Sequence, residues 1–122
     1  MAKKIEQVLE LWNVVHEAEV MAGKRMAVSV VAKVDNGSTY TVLPKRIADG
    51  LHLLPRGKVW VRYADGRRAQ RAMVGGLCIR IPGMRGRLVT TDALVEPGRD
   101  SVLFGCEEME RMDLIADHRA GV

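Results

Sequence analysis

One carboxylate stands out by its company. Asp35 is followed by Asn36, Gly37, Ser38 and Thr39, then Tyr40, Thr41, Val42, Leu43 and Pro44. An apolar strand runs into the acid, the chain turns through Asn-Gly-Ser, and alternation resumes until the proline. A single acid at a strand end, with hydroxyl groups around it, suits general acid–base work. An Asx-type turn is the competing account of the same residues. Other side chains offer less. His16, His52 and His118 lie far apart and show no metal-ligand spacing. Cys78 and Cys106 set no disulfide framework and are expected as reduced, buried thiols. Arg62, Arg67, Arg68, Arg71, Arg80, Arg85 and Arg87 concentrate in one stretch. Solvated faces that blunt sheet edges account for them. A sharper account is a basic surface for an acidic peptide or for nucleic acid. Single-strand binding would want aromatic platforms, and only Trp60 and Tyr63 lie near, so nucleic acid is not expected as a partner.

The acid must be positioned by a modest core. The chain has 122 residues, enough for one domain. Aromatic residues make up 4% of it, so Val, Leu, Ile, Met and Ala must fill the interior. A net charge of +4 favours acidic partners without naming nucleic acid. Met1-Ala2-Lys3-Lys4 has the basic start of a signal peptide, but Glu6, Glu10, Glu17 and Glu19 interrupt any apolar run. No stretch approaches the roughly 20 apolar residues of a membrane helix. The expectation is a soluble, cytoplasmic protein with no membrane partner.

In chain order, Ile5, Val8, Leu9, Trp12 and Val15 recur at helical spacing, which predicts an amphipathic element over 3–22. A strand through Val8 to Trp12 competes. Met26 to Val34 alternates: Met26, Val28, Val30, Ala32 and Val34 share one face, and the other is only partly polar, so both faces are expected to be covered. Thr39 to Leu43 is a second strand, and Pro44 opens a short helix that Asp49-Gly50 ends. Leu51, Leu53 and Leu54 are expected in the core, with Pro55-Arg56-Gly57 as a loop. Lys58–Tyr63 and Arg67–Val74 flank Ala64-Asp65-Gly66, a strong hairpin signal. Gly75-Gly76 permits a bend or bulge before Leu77–Ile81. Arg87–Val95 and Ser101–Gly105 are further strands, Cys106–Met112 a helix, and Asp113–Asp117 a last strand. The sum is a mainly β single domain.

The segment from Asp35 to Pro44 resembles the active-site segment of retropepsin-like aspartic proteases, which reads Asp-Thr/Ser-Gly-Ala/Ser before an apolar pair. The hairpin at Tyr63 to Arg68 sits where that family carries its flap, with Ala64, Asp65 and Gly66 at the tip. Leu103, Phe104 and Gly105, followed by a helix, sit at its apolar-apolar-Gly signature. The resemblance covers roughly residues 26–117. It implies a small closed β-barrel with one or two short helices over 25–122, preceded by an N-terminal extension, 1–24. Position 36 departs from the pattern: it is Asn where the family has Thr or Ser, whose hydroxyl braces the paired turns across a two-fold axis.

The resemblance implies an aspartic endopeptidase working as a symmetric homodimer, with Asp35 catalytic and Asn36, Gly37 and Ser38 in the active-site turn. One carboxylate cannot both hold a proton and activate water, so two copies of Asp35 would share one proton. The ionised partner takes a proton from water and the protonated one polarises the scissile carbonyl. No metal, cofactor or covalent intermediate is required. Gly37 lets the backbone pass close to the acid, and Ser38 is expected to hold the carboxylate by a hydrogen bond. Leu103, Phe104 and Gly105 would support the floor. A peptide or protein substrate would lie extended beneath the hairpin. A catalytically silent peptide-binding or dimerisation module of the same fold is the alternative, and Asn36 favours it.

Overall fold

The computed structural model describes residues 5–35, 37–83, 87–105, 108 and 112. Its strands are β1 (Glu6–Asn13), β2 (Val28–Asp35), β3 (Val42–Pro44), β4 (Leu54–Arg62), β5 (Arg68–Arg80), β6 (Leu88–Glu96) and β7 (Leu103–Gly105). A 3-10 turn (Val14–His16) and two short helices, α1 (Glu17–Met21) and α2 (Lys45–Gly50), complete the described elements. The sheet order is β1-β2-β7-β3-β6-β5-β4, and β1 also pairs with β5. Six strands therefore close into a ring, and β4 hangs from β5 as the free arm of a hairpin. The chain is mainly β, a small barrel of the retropepsin-like type, as expected.

One long strand makes closure possible. The first half of β5 pairs with β4, and its last residues, Leu77–Arg80, pair with β1. The changeover falls at Gly75-Gly76, where the register against β6 shifts. Gly76 has φ of +76°, a conformation that glycine adopts without a Cβ penalty. At Gly75 a Cβ would meet the Asp92 carboxylate at 2.7 Å. The predicted bend is thus a bulge inside one strand, and it lets that strand serve two partners.

In the N-terminal segment the competing strand is the one that forms, and the helical spacing does not hold. Residues Glu6–Asn13 form β1, paired with β2 on one edge and β5 on the other. Leu9 and Leu11 enter the main core with Leu43, Leu77, Ile79 and Phe104, while Trp12 packs on the opposite face against Val20 of α1 and Cys78. A strand covered on both faces shows no clean period of two, and a short apolar run then imitates a helix. Val15, which a helical face would have buried, is 73% exposed.

Other expectations also shift. Ala32 is buried on the inward face of β2, with Val30 and Val34 packed partly against the core, but Met26 precedes the strand and is exposed. Val31, on the second face of β2, is 55% exposed, so that face is open rather than covered. Leu53 joins the core, whereas Leu54 is 61% exposed at the start of β4. Pro55-Arg56-Gly57 lies inside β4 as a register irregularity, with Gly57 at φ +93°. The second strand is Val42–Pro44, so Pro44 ends β3 and flanks α2 instead of entering it. Cys106, Met109 and most of the predicted helix over 106–112, and the predicted strand 113–117, lie outside the described residues. No helix among the described residues is long and apolar enough to cross a membrane.

Candidate active site

Asp35 is the last residue of β2, where the ring gives way to a turn. It is half-buried, and its Oδ1 accepts the Gly37 N–H at 2.9 Å. The Ser38 N–H donates to the Asp35 carbonyl at 3.2 Å. The carboxylate thus shapes its own turn, as an Asx motif does, while keeping its second oxygen clear of that bond. A Cβ at Gly37 would stand 3.3 Å from Oδ1, so a side chain there would crowd the acid. Ser38 departs from expectation: its hydroxyl donates to the Tyr40 carbonyl at 2.7 Å and holds the turn rather than the carboxylate. Asn36 lies outside the described residues.

Beneath the turn, β7 runs parallel to β2 with Asp35 in register with Gly105. The segment leading into β3 approaches so closely that a Cβ on Gly105 would stand 2.5 Å from the Tyr40 carbonyl oxygen and 2.7 Å from the Thr41 nitrogen. Glycine is therefore a packing requirement at this position. Of its neighbours, Phe104 points into the core, and Leu103 packs with Val42, Met73 and Leu94 in a smaller apolar cluster facing the hairpin.

Sequence reasoning missed a polar brace under this floor. The Gly105 N–H donates to Thr41 Oγ1 at 3.1 Å, and that hydroxyl donates to Glu108 Oε2 at 2.8 Å. Thr91 donates to the other carboxylate oxygen, also at 2.8 Å. Glu108 is only 1% exposed, and Thr41 is fully buried. The buried acid therefore has hydrogen bonds on both oxygens, which burial demands. The one signal available was Thr41 itself, a polar residue in phase with Leu43 on an alternating strand.

The hairpin β4–β5 stands across a cleft from the turn. The Tyr63 N–H donates to the Arg67 carbonyl at 2.8 Å, and the Gly66 N–H to the Tyr63 carbonyl at 2.9 Å. Gly66 has φ of +86°, and the Asp65 carboxylate accepts the Arg67 N–H at 2.9 Å. This is a three-residue loop, Ala64-Asp65-Gly66, with the glycine in the left-handed position such loops need. Tyr63 anchors the hairpin to the ring: its hydroxyl donates to Glu96 Oε1 at 2.5 Å. That bond, followed by burial and the Glu96 charge, pushes the Tyr63 pKa above the ordinary tyrosine range, against an opposing pull from Arg71. Hairpin and turn enclose a cleft of about 600 Å³. Asp35, Gly37 and Ser38 line one side, Tyr63 and Ala64 the other, with Val42, Leu94 and Leu103 between them. Of the expected tip residues, only Ala64 lines the cleft, and Asp65 and Gly66 stand exposed above it.

No protein-family model matches the sequence, and no characterised protein matches it. The fold does have known counterparts. The structure of EIAV protease complexed with the inhibitor HBY-793 aligns over 94% of this chain and 93% of its own, with a TM-score of 0.64 and 13% identity. At that identity the likeness is one of fold, a retropepsin-like one.

Proposed function

We propose that this chain is one half of an aspartic endopeptidase, in which Asp35 and the Asp35 of a second copy activate water against a peptide bond. The observation that carries the reading is the position of Asp35. It sits at a strand end, on the wall of a cleft bounded by a hairpin, in a fold shared with a viral protease. Asp35 would be the catalytic residue, and Gly37 and Ser38 would form its turn with Asn36. Two carboxylates in contact cannot both ionise, so the pair would hold one proton between them. The ionised member would act as general base towards water, and the protonated member as general acid towards the carbonyl oxygen. Ala64, Asp65 and Gly66 would be the moving tip of the cover, hinged on the strands and tethered through Tyr63. Leu103, Phe104 and Gly105 would keep the floor rigid. The cleft, with apolar side chains between turn and hairpin, suits an extended peptide.

A silent, peptide-holding protein of the same fold is the second reading, favoured by Asn36 at a position where a hydroxyl would brace the dimer. Cleavage of a mixed peptide library at acidic and neutral pH separates the two. The endopeptidase reading expects cuts that a pepstatin-type inhibitor suppresses and that disappear in Asp35→Asn. If wild type and Asp35→Asn give the same products, that reading fails. Sedimentation across a concentration series checks the dimer.

A further inference from the structure

One end of the cleft is cationic in a way its apolar middle is not. Arg71 alternates along β5 with Met73, whose side chain is buried with Val42 and Leu94, so Arg71 faces the same cleft. Its Nε is buried and has no hydrogen-bond partner. Its guanidinium donates from Nη1 to the Gln70 carbonyl at 3.0 Å and lies 5.7 Å from the centre of the Tyr63 ring, which leaves Nε without an acceptor. Across from it stands Glu96, whose Oε1 is already taken by the Tyr63 hydroxyl. Arg71 Nε is 3.9 Å from that oxygen, and Arg99 Nη1 is 4.0 Å from the other. Both separations exceed hydrogen-bond length. One carboxylate is thus shared at ion-pair distance between two guanidinium groups, and while Arg99 Nε donates to the Ser101 carbonyl at 2.8 Å, Arg71 Nε has no acceptor.

The imbalance extends beyond this trio. Past Arg71, Glu96 and Arg99 the cleft continues into a recess of about 410 Å³ that these three residues also line. Lys33, Arg62 and Arg67 are also among the lining residues, so the walls of the two spaces carry five basic residues against three acidic ones, Asp35, Glu96 and Asp100. A buried guanidinium N–H without an acceptor costs free energy until one arrives. A carboxylate is the acceptor whose geometry matches the guanidinium fork.

We infer that the cleft selects extended peptides carrying a Glu or Asp side chain, which seats between Arg71 and Arg99. The inference names the substrate class of the proposed site and rests on that reading for the peptide itself. It makes Arg71 a specificity-determining residue with no part in the chemistry.

The test uses binding, so that it does not depend on turnover. Immobilised Asp35→Asn protein is offered a mixed octapeptide library, and retained peptides are sequenced by mass spectrometry. Glu and Asp should be enriched about fivefold or more over Gln and Asn at one position. The enrichment should vanish when Arg71→Gln is added and return in part with Arg71→Lys. Arg99→Gln should weaken it, which checks the site should the Arg71→Gln protein fold poorly. Equal retention of Glu and Gln peptides overturns the inference, as does retention of no peptide. A purely structural Arg71 would lower capture of both kinds alike and leave their ratio unchanged, which also overturns it. The two readings fail separately: a protein that captures acidic peptides yet never cuts sinks the peptidase, and one that cuts without acidic preference sinks this inference.

Discussion

Asp35 and Gly105 are register partners in the parallel ladder of β2 and β7, and the space above Gly105 belongs to the Tyr40–Thr41 backbone. The acid's height above the floor is therefore set by a residue with no side chain. Gly105→Ala must push the Tyr40–Thr41 segment away or tilt β7, because the atoms it meets are main chain. The expected loss is about 1–3 kcal/mol in denaturant unfolding, with a larger fractional loss of the proposed peptide cleavage. A variant as stable as wild type would mean that the floor is softer than the packing describes.

Glu108, Thr41 and Thr91 offer a second test. Glu108→Ala leaves the buried Thr41 hydroxyl without its acceptor, whereas the half-buried Thr91 keeps the Asp92 carbonyl at 3.1 Å, and should cost about 1–3 kcal/mol. Thr41→Val keeps the volume but deprives the Gly105 N–H of its acceptor, for about 1–3 kcal/mol. The pair should be strongly non-additive, since each removes the same bond, and a double-mutant cycle measures that directly.

Tyr63 ties the hairpin to Glu96, and its pKa is raised chiefly by that hydrogen bond. The sign follows from linkage. A phenol harder to ionise in the folded state contributes stability that is complete below its ordinary pKa of about 10, and that is lost as pH rises through the folded value. Absorbance titration should show one tyrosine ionising late, and unfolding experiments should show the alkaline loss. In Tyr63→Phe both signals should be missing.

Cys78 is a free, buried thiol beside Thr90 and Glu17. Burial, above all, raises its pKa; the Thr90 hydrogen bond opposes this, and the Glu17 carboxylate adds to it. Alkylation at mildly alkaline pH should therefore leave Cys78 unmodified in the native protein and label it quickly in denaturant. Peptide mapping by mass spectrometry reads the site.

The sequence made some of this legible and hid the rest for physical reasons. Alternation on β2 points at Asp35 because that strand has a buried and an open face, and a period of two survives only under that condition. The Ala64-Asp65-Gly66 loop was readable because left-handed backbone restricts the choice of residue. The Gly75-Gly76 pair likewise marked the place where β5 changes partners. β1 stayed ambiguous between helix and strand because Leu9 and Leu11 face one core while Trp12 faces another, which erases the period. The brace under Gly105 was out of reach altogether. Thr41 and Glu108 lie 67 positions apart, and no local pattern announces a bond between them. Ser38 shows the limit of analogy: the right residue type stands beside the acid, but its hydroxyl serves the main chain.

The double pairing of β1 bears on how the molecule comes into being. Its closing contacts join residues as distant as Glu10 and Arg80, 70 positions apart, so the strand synthesised first cannot complete its bonds until the fifth has left the ribosome. Contacts that span so much chain form slowly, because the entropy of the intervening loop is lost before they yield any gain. During that wait Leu9, Leu11 and Trp12 are exposed on a strand with an unpaired edge. Nascent chains are most vulnerable to mispairing with one another in this interval, and Glu6 and Glu10 place charge on the segment that has to wait.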